Sequence, residues 1–163
     1  MKSFISKIML LVISVVLLQG CKSNQEVAQP MSAMSGETVS LGSRGDGSIV
    51  LRCWGSGSNR GDAIEQAKRN AVYDILFKGI KSGPNIGDAA NPLVPEVNAR
   101  ERYANYFDPF FSPGGEYKKF VKEEKGNADR LKSEGLSRNG YGVVVIVDRS
   151  ALKAQLKKDG VLK

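Results

Sequence analysis

The segment Ser48-Ile49-Val50-Leu51-Arg52-Cys53-Trp54 is rich in β-formers and closes on Gly55-Ser56-Gly57, which predicts a strand followed by a turn. A helix should follow, with Asn59 or Asp62 as its N-cap. Ile64, Ala67, Ala71 and Ile75 recur at spacings of 3, 4 and 4, with Val72 and Leu76 beside them, which makes one helical face. That helix should stop near Gly79. Gly83 to Pro95 contains Pro84, Pro92 and Pro95 and reads as a long surface loop. Residues Glu96 to Phe107 then look helical, Pro109 and Pro113 break the chain, and Gly115 to Lys125 suggests a second short helix. Further on, Ala128 to Leu136 and Tyr141 to Val147 flank Ser137-Arg138-Asn139-Gly140, and Asn-Gly is a strong hairpin signal. Val143 to Val147 is apolar at every position, as in a strand covered on both faces. Asp148 or Ser150 should cap a last helix carrying Leu152 and Leu156, with Gly160 as its stop. The expected fold class is α+β: a small antiparallel or mixed sheet packed against helices, in one domain.

Ahead of these elements lies a different pattern. Lys2 and Lys7 precede an apolar run from Ile8 to Leu18, interrupted only by Ser14. Such a run is too short to span a bilayer, which takes about 20 residues. A short apolar core behind a basic start has the form of a secretory leader. It ends in Leu18-Gln19-Gly20-Cys21, which resembles the lipobox of bacterial lipoproteins, although Gln19 is a less usual occupant of its place. The resemblance implies cleavage before Cys21 and acylation of its sulfur and new amino terminus. A simple alternative is a secreted protein cut by another peptidase, with Cys21 a plain thiol. One acyl chain binds membrane only marginally, whereas two or more anchor stably. By the same resemblance, Lys22 in place of Asp removes the inner-membrane retention signal and points to the outer membrane, in either the periplasmic or the surface leaflet. The expected division is therefore leader 1–20, lipidated Cys21 and tether to residue 46, and domain 47–163. Residues 22–46 are rich in Ser, Gln, Gly, Asn and Met, and as a coil would span about 25–30 Å.

Composition narrows the chemistry. The chain has 163 residues, 41% of them hydrophobic and 25% charged, and no histidine. Without an imidazole, Ser-His-Asp and Cys-His hydrolysis and His-ligated zinc are excluded. Net charge is +7, falling to +5 once Lys2 and Lys7 leave with the leader. No run of like charge argues for nucleic acid. With Cys21 lipidated, Cys53 has no partner for a disulfide, and its apolar strand context suggests a small buried hydrophobe rather than a reactive thiol.

Gly55, Ser56 and Gly57, followed by Ala63, Ala67, Asn70 and Ala71, resemble the core of small bacterial envelope lipoproteins. The LPP20-like group, penicillin-binding-protein activators and flagellar-assembly proteins are of this kind. The likeness covers Ile49–Ile80 and Gly140–Gly160, and it implies an assembly or adaptor role without an active site or cofactor.

Other motifs have bland readings beside their functional ones. Gly55-x-Gly57-x-x-x-Gly61 lies where a dinucleotide fingerprint would, but its last glycine is one place late and no second parallel strand follows, so helix-entry glycines are the simpler account. Arg-Gly-Asp occurs at Arg44-Gly45-Asp46 and again at Arg60-Gly61-Asp62. Integrins read this tripeptide in adhesion proteins, and the first copy would be exposed in a tether. No carboxylate pair, Ser-Lys nucleophile motif or metal-ligand cluster stands out. Seven of the eleven Phe, Tyr and Trp residues beyond Phe4 lie in one stretch, from Tyr103 to Phe120. One reading is core or lid packing. The functional reading makes Tyr103, Tyr106, Phe107, Phe110 and Phe111 a partly exposed partner-binding patch, since aromatics are enriched at interaction hot spots.

The expectation is a non-enzymatic, lipid-anchored envelope protein that needs no cofactor and binds another envelope protein and no nucleic acid. The alternatives are a cell-wall-acting hydrolase or carbohydrate-binding protein, and a surface adhesin using Arg44 to Asp46.

Overall fold

A computed structural model describes residues 38–83, 89–124 and 140–163. They form a four-stranded antiparallel sheet packed against helices, as the pattern predicts. The strands are β1 (Val39–Ser43), β2 (Ser48–Ser56), β3 (Val121–Glu123) and β4 (Gly140–Asp148), in the order β1-β2-β4-β3. β2 and β4 pair along their whole length, from Ser48 opposite Asp148 to Ser56 opposite Gly140. β1 pairs with β2 through a bulge between Ser40 and Gly42.

β1 corrects the expected tether. Residues 39–46 belong to the folded domain, because Val39 to Ser43 form an edge strand and Arg44 to Gly47 the turn into β2. The polar composition hid this strand: Ser40 is fully buried yet carries a hydroxyl, which accepts from the Gly42 N–H across the bulge.

Helix α1 (Arg60–Tyr73) runs over β2 and is capped by Asn59, whose side chain accepts from the Asp62 N–H. Its buried face is Ala63, Ala67, Asn70, Ala71 and Val72, while Ile64 is half-buried. The small residues let the helix approach the strand closely. At Gly55 an added Cβ would stand 1.9 Å from the Ala63 carbonyl oxygen, and at Gly57 2.5 Å from the Asp62 Cβ. Asn70 Nδ2 donates to the Trp54 carbonyl at 2.9 Å, tying helix to strand. Gly55, Gly57, Ala63, Ala67 and Asn70 thus share one packing job.

α1 ends in a π-helical turn, Asp74–Lys78, closed by Gly79 at a φ of 77°. The Leu93 and Val94 N–H groups donate to the Ile75 and Leu76 carbonyls at 3.0 and 2.9 Å. Leu93 and Val94 are themselves buried, so the far end of the expected surface loop is a cap that plugs the core. Residues 84–88 of that loop lie outside the described residues.

The expected helix at 96–107 is broken. α2 (Ala99–Arg102) and α3 (Ala104–Phe110) meet at Tyr103, whose φ of −105° and ψ of 32° leave the helical region. The expected second helix is a 3₁₀ turn, Glu116–Phe120, running into β3. Three residues per turn put Tyr117 and Phe120 on the same side, and both are buried. Of the expected hairpin, Ala128 to Asn139 lies outside the described residues; β4 begins at Gly140.

Helix α4 (Arg149–Lys158) is capped by Asp148, which accepts from the Ala151 N–H at 2.8 Å, and it buries Leu152 and Leu156. Among the described residues the core is a single cluster between one face of the sheet and the helices. It takes Ile49, Leu51 and Cys53 from β2, and Val145 and Val147 from β4.

Candidate docking face

The aromatic stretch is core, which corrects the expected patch. Phe107, Phe110 and Phe111 are buried; of the five candidates only Tyr103 and Tyr106 are half-buried. The rings pack edge-on and tilted, with Phe107 against Phe77 at 4.9 Å and Phe110 against Phe111 at 5.0 Å between centroids. Phe77 and Tyr73 join from the end of α1. Several helical faces carry aromatics because α2, α3 and the 3₁₀ turn wrap the end of α1, so more than one side of each meets the core. Tyr106 spends its hydroxyl on Asp159, donating at 2.7 Å. Burial and this contact raise the Tyr106 pKa, and Asp159 is held below the usual carboxylate range by the same bond and by Gln155.

The first Arg-Gly-Asp is a structural turn. Asp46 accepts from the Ser48 hydroxyl and N–H, which lowers its pKa, and Arg44 is bonded to Glu124 at 2.6 Å. Neither charge is held out on a free loop. The second copy starts α1, where Asn59 Nδ2 donates to the Asp62 carboxylate at 2.8 Å. Cys53 is fully buried, its thiol 3.5 Å from the Val143 carbonyl, and burial, aided by the charge of Asp74, pushes its pKa up. Cys21 lies outside the described residues.

A polar cluster joins α1 to β3 and the 3₁₀ turn. Glu65 is held by Lys68 at 2.9 Å and Lys118 at 3.0 Å, and Tyr117 Oη donates to it at 3.3 Å. Burial pushes the Glu65 pKa up, but the two ammonium groups outweigh it and the net shift is downward. Lys68 also reaches Glu123 at 3.2 Å, and its own pKa is raised on balance by its two acids. Every member is satisfied by another, as in a structural network. Among the described residues no group of three His, Cys, Asp or Glu side chains converges as a metal site.

In comparisons with known proteins, no family model, no curated protein and no solved structure matched the chain.

The second face of the sheet is also apolar. Side chains alternate along each strand, so Val50, Arg52 and Trp54 of β2 point away from the core that holds Ile49, Leu51 and Cys53. Their cross-strand partners are Ile146, Val144 and Gly142. Val39 stands opposite Arg52 from β1, and Lys122 opposite Ile146 from β3. Among the described residues, no helix contributes to this face. Val144 and Ile146 are only 4% and 7% exposed, yet neither belongs to the core cluster. The Trp54 ring lies over Gly142, where an added Cβ would come within 3.0 Å of it. Arg44 and Glu124 stand at opposite edges of the face, so their ion pair reaches across it. The burial of valine and isoleucine on this side is the feature that sequence reasoning half found. The unbroken Val143–Val147 run announced a two-sided strand without saying what covers the second side.

Proposed function

We propose that the chain is a lipid-anchored, non-catalytic protein of the bacterial cell envelope whose α+β domain docks another envelope protein. The anchor is Cys21, placed by the Leu18-Gln19-Gly20-Cys21 pattern. The resemblance to the LPP20-like group and to penicillin-binding-protein activators supports the same assembly role. By that pattern, with Lys22 after the Cys, the outer membrane is the site of anchorage.

The observation that carries the docking role is the second face of the sheet. An antiparallel sheet commonly leaves one side to water and reads polar there. This one carries Val39, Val50, Trp54, Val144 and Ile146 instead; Val144 and Ile146 are buried, and Val39, Val50 and Trp54 are half-buried. Apolar surface gathered on one face and bordered by charge is the composition of a protein–protein contact. The buried aromatic cluster is its scaffold and not the contact itself. The adhesin reading loses support because Arg44 and Asp46, though exposed, are both engaged, Arg44 by Glu124 and Asp46 by Ser48.

The test is site-directed photo-crosslinking in intact cells. A photoreactive residue at Val50 or Trp54 should give a discrete adduct with another envelope protein, whereas one at exposed Lys119 or Lys157 should not. Adducts formed from Lys119 or Lys157 and never from the sheet face would overturn the assignment.

A further inference from the structure

Lysines on α1, its π-helical turn and the 3₁₀ turn each hold a carboxylate of their own. Lys68 is 2.9 Å and Lys118 3.0 Å from Glu65, Lys78 is 3.1 Å from Asp74, and Lys119 is 2.6 Å from Glu116. The lysines of α4 do not. Lys153, Lys157 and Lys158 are exposed and form no ion pair among the described residues. The acids at the two ends of this helix are engaged by other groups. Asp148 accepts from the Ala151 N–H and the Ser150 hydroxyl, and Asp159 accepts from Tyr106 and Gln155. Lys157 and Lys158 lie in the last turn, where the helix dipole favours cations. Lys153 lies a turn earlier and four residues from Lys157, a spacing at which like charges repel. All three point to the side of α4 away from buried Leu152 and Leu156, with exposed Ala151 and Ala154 among them. The outer side of α4 is therefore an open surface of uncompensated positive charge.

Its chemistry suits a lipid surface better than a polypeptide. No large apolar side chain is exposed on α4, so the aromatic or aliphatic anchor that a protein contact is built around is missing. Lysine is a point charge on a flexible stem, suited to a fluid layer of headgroups and not to one fixed acceptor. A chain acylated at Cys21 also keeps its domain beside such a layer, so weak attraction is enough to set how the domain rests. Resting on the anchorage proposed above, we propose that the Lys153, Lys157 and Lys158 side of α4 lies on anionic phospholipid headgroups of the membrane that holds the chain. The three ammonium groups donate to phosphate oxygens, and each favours the resting orientation by about fivefold, an attraction that salt weakens. The sheet stands behind α4 with the core between them. Lys122 alternates with Val121, which is buried in that core, so Lys122 points to the far side of the sheet.

The test is lysine acetylation read by mass spectrometry on the full chain purified from membranes. It is placed in vesicles of phosphatidylcholine alone, and in vesicles of phosphatidylcholine with an equal part of phosphatidylglycerol. In low salt, Lys153, Lys157 and Lys158 should react about fivefold more slowly when phosphatidylglycerol is present, while exposed Lys122 keeps its rate. High salt should restore the three rates. Lys153→Glu combined with Lys157→Glu, both at exposed positions that leave the core untouched, should abolish the protection of Lys158. Equal rates in the two kinds of vesicle, or protection of Lys122 as strong as that on α4, overturn the proposal. Protection by added polyglutamate and none by phosphatidylglycerol overturns it in favour of an acidic polypeptide. Flotation reads the anchor separately. A chain that fails to float with phosphatidylcholine alone overturns the anchorage itself, whereas one that floats without phosphatidylglycerol-dependent protection overturns only the α4 proposal.

Discussion

At the scale of single residues, two positions bear most of the architecture. Gly55 has no room for a side chain, since its neighbour across the interface is the Ala63 carbonyl and not a movable side chain. Gly55→Ala should cost about 3 kcal/mol or more, read as a loss of unfolding free energy in denaturant, because backbone must shift to accept the methyl group. Phe107 is the opposite case, a large ring packed against Phe77 and Tyr106 and buried completely. Phe107→Ala should cost about 3–5 kcal/mol. A loss under about 1 kcal/mol would mean that the ring is not core. The glycines were legible in the sequence as a helix-entry signal, although their purpose, close approach of α1 to β2, needed the Ala63 and Ala67 contacts to be seen. The aromatic residues were legible as a cluster, with core packing and a partly exposed patch both open as readings. Counting rings against one helical stripe undercounts the available core when three short elements wrap the end of one helix, and Phe77 and Tyr73 add to the cluster from a distance in sequence.

At the scale of elements, the strongest patterns were the most readable. Asn59 and Asp148 cap their helices as polar side chains before periodic runs should, and the Val143–Val147 run is a strand buried on both sides. β1 escaped because its Val39-Ser40-Leu41 alternation is short, lies in a polar stretch and buries the serine rather than the apolar residues, and its ladder to β2 supplies the order. The junction of α1 with β3 and the 3₁₀ turn is electrostatic. Glu65, Asp46 and Asp159 all have folded pKa values depressed below their ordinary ones. A depressed acid contributes stability above its unfolded pKa and loses it as pH falls through the folded value. Stability should therefore be flat from about pH 8 to pH 5, where a chain without histidine has no ordinary side chain to titrate. It should fall below the ordinary Glu value of 4.5. Glu65→Gln should flatten the upper part of that acid limb, as followed by thermal unfolding across pH. An unchanged acid limb in this variant would remove Glu65 from the account.

At the scale of the whole molecule, the proposed acylation of Cys21 and the apolar second face of the sheet fit one working arrangement. The proposed anchor would set the location by hydrocarbon burial. The second face of the sheet is the proposed contact. None of this second half was legible beforehand, because strand pairing decides which alternate residues share a side, and no run of sequence states that Arg52 lies between Val39 and Val144. The anchor is the claim on which the others depend. Its direct measurement is membrane fractionation with metabolic fatty-acid labelling of the native chain beside Cys21→Ala. The native chain should carry label and sediment with the outer membrane, while the variant should lose label and leave the membrane fraction for the soluble one. A variant that still sediments with the outer membrane, or a native chain without label, would contradict the account.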